Sequence, residues 1–182
     1  MTIVYLILTV IAVAIIGYLV EGFKKIKNAM DYNKQGATNY FSKDFNRAIQ
    51  CFDKAIEINP GYSEAYANRG LTKDALYDSK GAINDFSEAV RINPKDLASY
   101  YNRGNTKKDK LQDFTGAIQD YSKAIDINSN YALAYYSRGL AKYSQGDIKG
   151  GLRDLNKAIE LGNESAYATM RAMKENGLHV RD

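Results

Sequence analysis

Residues 63–96 read SEAYANRGLTKDALYDSKGAINDFSEAVRINPKD. Two apolar-periodic stretches lie in this run, Glu64–Leu76 and Ser79–Ile92, each long enough for a helix of about three to four turns. The same order of residues returns along the chain. Tyr32, Tyr66, Tyr100 and Tyr135 are spaced by 34, 34 and 35 residues, and Gly36, Gly70, Gly104 and Gly139 each follow by four. Ala48, Ala82, Ala117 and Gly151 come twelve or thirteen residues after the glycine. Phe52, Phe86, Tyr121 and Leu155 then follow by four, and Ala55, Ala89, Ala124 and Ala158 by seven. The small residues stand where two helix axes must come close, and the aromatic rings fill the space beside them. Asn59-Pro60 and Asn93-Pro94 close the first two units, because proline has no N–H to continue a helix.

One helix pair cannot bury both of its faces, so the units are expected to stack and to need caps. The register divides the chain into units at 29–62, 63–96, 97–131 and 132–165. The third unit carries one extra residue near Leu111-Gln112-Asp113, expected in the turn between its helices. Residues 166–182 are read as a capping helix and tail, with Tyr167, Met170 and Met173 or Lys174 on its packing face. Gly177 is a suitable helix stop there, and His179 falls in the tail. Ser87 and Ser122, one residue past the second aromatic, are expected to face outward.

The period and residue order resemble the tetratricopeptide repeat (TPR) over residues 29–165. The resemblance implies an all-α fold, a right-handed α-α superhelix of four helix pairs. Tyr takes the place of the family's first Trp, which accounts for part of the 15 Tyr and absence of Trp. It also implies a concave face lined by the first helix of each unit, holding a protein or peptide segment. The matching positions are Asn33, Lys34, Ala37 and Tyr40, then Ala67, Asn68, Leu71 and Asp74. In the later units they are Tyr101, Asn102, Asn105 and Lys108, then Tyr136, Ser137, Leu140 and Tyr143.

One subfamily grips the terminal carboxylate of heat-shock chaperones with a Lys-Asn-Arg clamp. The clamp positions here hold Asn33 and Ala37, or Ala67 and Leu71 one unit later, with Ala98 and Asn102 in the third. Only the middle Asn is present, so chaperone C-termini are poor candidates. Asn68 and Asn102 instead suggest a carboxamide ladder, since each amide offers a donor and an acceptor to a peptide unit. Tyr101, Tyr136 and Tyr143, with Asn105, would add rigid contact area to such a groove. Solvated helix residues would give the same pattern. Arg69, Arg103 and Arg138 precede the repeat glycines. Either they form a stripe for an acidic partner, or their heads reach carboxylates such as Asp85 and Asp120; the packed seam beside them favours the second reading.

Thr2 to Val20 contains no charge and, as a helix, is about 29 Å long, close to the hydrocarbon thickness of a bilayer. Tyr5 and Tyr18 stand near its ends. The run lacks the polar face of a core helix. It also lacks a basic leader and a small-residue cleavage site at Tyr18-Leu19-Val20, so residues 1–28 are read as an uncleaved transmembrane anchor with its basic flank. Lys24, Lys25 and Lys27 follow the span, which places the repeats on the cytoplasmic side and the N-terminus outside.

The rest of the composition points away from catalysis. The chain has 182 residues, one His, one Cys and a formal charge of +4 without a concentrated basic face. No zinc, phosphate-loop or nucleophile–base spacing occurs, and Cys51 has no His to activate it. No enzyme activity, cofactor, metal, nucleic-acid partner or small-molecule substrate is expected. Asn163-Glu164-Ser165 matches a glycosylation sequon, which the lysine flank places on the wrong side of the membrane. The expectation is a membrane-anchored scaffold or adaptor supporting assembly of a membrane-associated complex. Its layout resembles small anchored assembly factors of photosynthetic membranes and anchored import receptors of organelle outer membranes. A soluble or exported binding module is the reading if the first segment is removed.

Overall fold

The computed structural model describes residues 2–175, and Gly177 and His179 lie outside them. Among the described residues there are nine α-helices and no strand. They are α1 (Thr2–Phe41), α2 (Phe45–Ile58), α3 (Ser63–Ala75), α4 (Ser79–Ile92), α5 (Leu97–Leu111), α6 (Phe114–Ile127), α7 (Ala132–Ser144), α8 (Ile148–Glu160) and α9 (Glu164–Glu175). Helices α1 to α8 form four antiparallel pairs, and α9 stands alone at the end.

Each second helix begins in the same way. Asp44, Asp78, Asp113 and Asp147 are its N-caps, and each side chain accepts from the backbone N–H three residues on. Such caps contribute roughly 1 kcal/mol each. The residue before three of them is left-handed, Lys43, Tyr77 and Gln112, and before the fourth it is Gly146. The cap N–H then bonds back to the carbonyl five residues earlier, from Asp44 to Asn39, Asp78 to Lys73 and Asp147 to Lys142. In the third unit the bond runs from Asp113 to Lys107, six residues back. The extra residue is thus taken up by a longer α5 and a wider closing turn.

The first three second helices end on Asn59, Asn93 and Asn128, whose side-chain oxygens accept from the backbone N–H of Gly61, Lys95 and Asn130, and the fourth ends on Leu161. This turn sets the chain direction into the next unit and does not need the proline. The third unit keeps it with Ser129 after the Asn.

The helix pairs close on the small residues. Ala48, Ala55, Ala82, Ala89, Ala117, Ala124 and Ala158 have no exposed surface, and the four repeat glycines are buried. Tyr32, Tyr66, Tyr100 and Tyr135 are half-buried beside them. A Cβ at Gly36 would stand 2.5 Å from the Phe52 ring, and one at Gly104 would stand 2.8 Å from Tyr121. The fourth pair differs. Leu155 replaces the aromatic, the helices approach more closely, and a Cβ at Gly151 would stand 2.8 Å from the carbonyl oxygen of Gly139. Alanine, which fills this position in the other three units, has no room there.

Helix α9 packs on α8 through Ala166 and Met170, with Met173 half-buried. Tyr167 was expected on that face but is 63% exposed: it follows Ala166 as Tyr135 follows Ala134, and among the described residues no second helix pairs with α9 to cover it as α8 covers Tyr135. Asn163 of the sequon caps this helix by accepting from the N–H of Ala166 at 2.8 Å.

Helix α1 is continuous from the apolar run into the first unit. No Pro lies between Thr2 and Phe41, and at 1.5 Å per residue its 40 residues make a rod of about 60 Å. Tyr5 and residues 7–20 are exposed, and within Ile7–Phe41 the helix contains a window long and apolar enough to cross a membrane.

Candidate functional site

The first helices lie side by side. Helix α1 touches α3, α3 touches α5 and α5 touches α7, whereas each second helix packs mainly on the first helix of its own unit and of the next. The first helices therefore crowd together on one side of the stack while the second helices fan out on the other. Every groove position expected from the sequence lies on one of these first helices.

Hydrogen bonds between units occupy many of those positions. Asn33 is 4% exposed and donates through Nδ2 to Tyr62 Oη at 3.2 Å and to Glu64 Oε1 at 3.0 Å. Its Oδ1 accepts from Asn68 Nδ2 at 3.0 Å. Asn68 thus spends one N–H on the preceding unit and keeps its Oδ1 acceptor and second N–H. Asn102 is half-buried, and its side chain forms no hydrogen bond among the described residues. Asn105 faces its own pair, accepting from Tyr121 Oη at 2.8 Å. Burial, with the Asp109 charge second, pushes the Tyr121 phenol above its usual pKa, so it stays a neutral donor. Tyr101 Oη lies 3.3 Å from Ser137 Oγ, and its ring meets those of Tyr121 and Tyr131. Tyr136 Oη lies 3.3 Å from Thr169 Oγ1, the same contact passed on to α9. Tyr143 is half-buried near the end of α7. Tyr101 and Tyr136 are therefore tied to the next helix along the row by their hydroxyls.

The repeated arginines serve the stack. Arg69 donates in two-pronged fashion to Asp85 at 2.9 and 2.6 Å and to Asp53 of the preceding unit at 2.6 Å. Burial opposes its charge, but the hydrogen bonds it donates to Asp85 and Asp53 outweigh this and raise its pKa. Arg103 grips Asp120 in the same way, and Arg138 grips Asp154. Lys73, Lys107 and Lys142 complete each carboxylate at 2.8, 2.8 and 2.7 Å. Arg103 and Arg138 reach back to Ser87 and Ser122 at 2.9 and 3.0 Å. This corrects the outward placement of the two serines: they face the next unit, not water. Arg69, Arg103 and Arg138 are all paired, so they form no open stripe for an acidic partner.

The first unit lacks this ladder. Gln35, Asn39 and Cys51 stand 34 residues before Arg69, Lys73 and Asp85. Asn39 Nδ2 lies 3.6 Å from Cys51 Sγ. Cys51 is thus the neutral counterpart of a buried aspartate that has no arginine to meet. The recurrence of Asp44, Asp78, Asp113 and Asp147 was readable as a capping signal. The Asn33–Asn68 bond had no signal, since it depends on how neighbouring units rotate.

Comparison with known proteins agrees with this architecture. Tetratricopeptide repeat models match residues 24–62 and 51–84, and a TPR repeat model matches residues 110–146. A 50-residue stretch is 40% identical to the STIP1 homolog of Dictyostelium discoideum, covering 28% of this chain and 9% of that protein. Among solved structures, MamA superposes with a TM-score of 0.71 at 26% identity, covering 77% of this chain and 81% of its own. The first TPR of Spaghetti (RPAP3) bound to an HSP90 peptide has a TM-score of 0.64 at 21% identity, covering 66% and 94%. The Arabidopsis OM64 TPR domain has a TM-score of 0.63 at 21% identity, covering 66% and 98%. With its repeat register, its paired helices and these three matching models, the chain belongs to the tetratricopeptide repeat family.

Proposed function

We propose that this protein is a membrane-anchored scaffold that holds an extended segment of a partner protein against its row of first helices. The observation that carries this reading is the state of Asn102. It stands in the middle of the row with its carboxamide uncommitted, while residues around it are pinned by bonds within and between units. A fixed frame bearing a free amide can pair with both groups of a backbone peptide unit at little entropic cost. The HSP90 peptide carried by the RPAP3 repeat supports a peptide as the class of ligand. The absence of the Lys-Asn-Arg clamp argues that the segment is bound along its length and not by a chaperone carboxylate.

The anchor is the apolar run 2–20. Lys24, Lys25 and Lys27 orient it so that the helix pairs lie on the cytoplasmic side, by the preference of basic flanks for that side. Tethering raises the effective concentration of a weakly held partner, which is what assembly of a membrane complex needs.

Affinity purification from detergent-solubilised membranes tests the groove. Asn102→Ala is expected to weaken partner capture by about three- to tenfold, the worth of one good hydrogen bond, with thermal unfolding unchanged. Asn68→Ala is expected to weaken capture and also to lower the melting temperature, because it removes the bond to Asn33. Unchanged capture by the Asn68→Ala, Asn102→Ala double variant would sink the carboxamide ladder.

A further inference from the structure

Helix α1 carries an apolar stripe out of the apolar run and toward the repeats. Ile16, Leu19, Phe23, Ile26 and Met30 follow at steps of three, four, three and four, so they share one helix face. Past Val20 the other faces of the same turns hold Glu21, Lys24, Lys25, Lys27 and Asn28. Among the described residues the stripe is uncovered: Phe23 is 70% exposed, Ile26 50% and Met30 55%. The bilayer does not cover its outer part. With α1 along the bilayer normal, Ile26 stands about 9 Å and Met30 about 15 Å past Val20, beyond a head-group zone roughly 5–8 Å deep. The chain's own helices lie on neighbouring faces, where Ala29 is fully buried and Asn33 is held by Glu64 and Asn68 of α3. Nor is the stripe an unused stacking surface. Ala65 and Thr72 of α3 are fully buried beneath the preceding unit, but their counterparts 34 residues earlier, Asp31 and Thr38, are polar and exposed. The end of the stack is thus made for water, as a capping face is, while the stripe is not.

We infer that a second copy of this chain covers the stripe, the two α1 helices forming a parallel coiled coil over residues 16–30; the inference rests on the anchored reading above. An apolar spacing that averages 3.5 residues fits one kind of surface, another helix running alongside. An anchor inserted in one direction delivers a second copy at the same depth and in the same orientation. Each stripe residue then meets its own counterpart, with Ile16, Phe23 and Met30 at the first seam position and Leu19 and Ile26 at the second. The flanking positions suit this self-pairing. Lys27 lies across from Gly22 of the other copy, so no like charges oppose each other. Lys24, Lys25 and Asn28 point away from the seam. The other flanking residues, Val20 and Ala29, are uncharged, so the seam carries no pattern of charges that would select a different helix. Pairing stops at Met30, because the next seam position is Asn33, already committed to α3. Two copies joined in this way hold two rows of first helices at one height above the membrane, so a partner with two segments is held more tightly than by either row alone.

The test places one cysteine at a time in the full chain, with Cys51→Ser to remove the native thiol, and oxidises intact membranes. Phe23→Cys, Ile26→Cys and Met30→Cys are expected to link two chains on a non-reducing gel. Lys24→Cys, Lys25→Cys and Asn28→Cys should link about fivefold less or not at all, because a disulfide needs Cβ atoms about 4 Å apart. A photo-reactive amino acid at position 26 is expected to give an adduct of twice the chain mass. Native mass spectrometry of the detergent-solubilised chain should show a two-chain species that Phe23→Lys with Ile26→Lys abolishes and Asn28→Lys preserves. Equal linking at all six positions, linking that peaks at 24 or 28, or a two-chain species unmoved by the double variant would overturn the inference. So would an adduct at position 26 with lipid or with a different polypeptide, since each names another occupant of the stripe. Alkaline carbonate extraction of the same membranes separates this inference from the reading it rests on. Release of the chain removes the anchor itself; retention without periodic linking removes only the seam.

Discussion

Asp120→Ala is expected to lower the unfolding free energy by about 3–5 kcal/mol, as read from urea unfolding of the full chain in mild detergent. The carboxylate is 4% exposed and accepts two bonds from Arg103 and one from Lys107. Removing it strands two cations whose side chains are only 15% and 18% exposed. The loss arises from the uncompensated charges more than from the missing attraction. Adding Arg103→Met and Lys107→Met to Asp120→Leu takes the charges out together and is expected to recover most of the stability. If Asp120→Ala unfolded at the wild-type urea midpoint, the ladder would be decoration, and stacking would rest on the aromatic and small residues alone.

The second large effect concerns the apolar run. Ile11 lies near its middle and is exposed. An arginine there costs about 2.5–3.5 kcal/mol at the bilayer centre, which corresponds to about two orders of magnitude in membrane partition. Ile11→Arg combined with Ile15→Arg is expected to move the chain from the carbonate-resistant pellet to the supernatant while its helical circular dichroism from the repeats persists. A wild-type chain already in the supernatant would contradict the anchor. So would a double variant that still pellets.

The stacking was legible because close helix contacts leave a mark on composition. Gly36, Gly70, Gly104 and Gly139 are small for the same reason at each position, so they recur. The buried ladder was half legible: the arginines recur, and Asp85 and Asp120 lie within reach. Their second partners, Asp53, Ser87 and Ser122, sit on the preceding unit, and a residue's outward direction on its own helix says nothing about what the next unit brings to it. Tyr167 was misplaced because it keeps the register of Tyr135, which is half-buried by the second helix of its own pair, and among the described residues α9 has no such helix. The continuity of α1 was readable in the lack of any strong breaker after Val20. Gly22 and the charged flank drew the boundary instead. Along the first helices, residue types did not show the bonds, and only the structure distinguishes the committed Asn33 and Asn105 from the open Asn102.

The most direct measurement places a photo-reactive amino acid at position 102 and, separately, at position 123, and irradiates intact membranes. Position 123 is exposed on α6, on the side where the second helices fan out. A gripping row of first helices predicts a discrete polypeptide adduct from position 102 and none from position 123. Adducts from position 123 alone, or the same adducts from both, would contradict it.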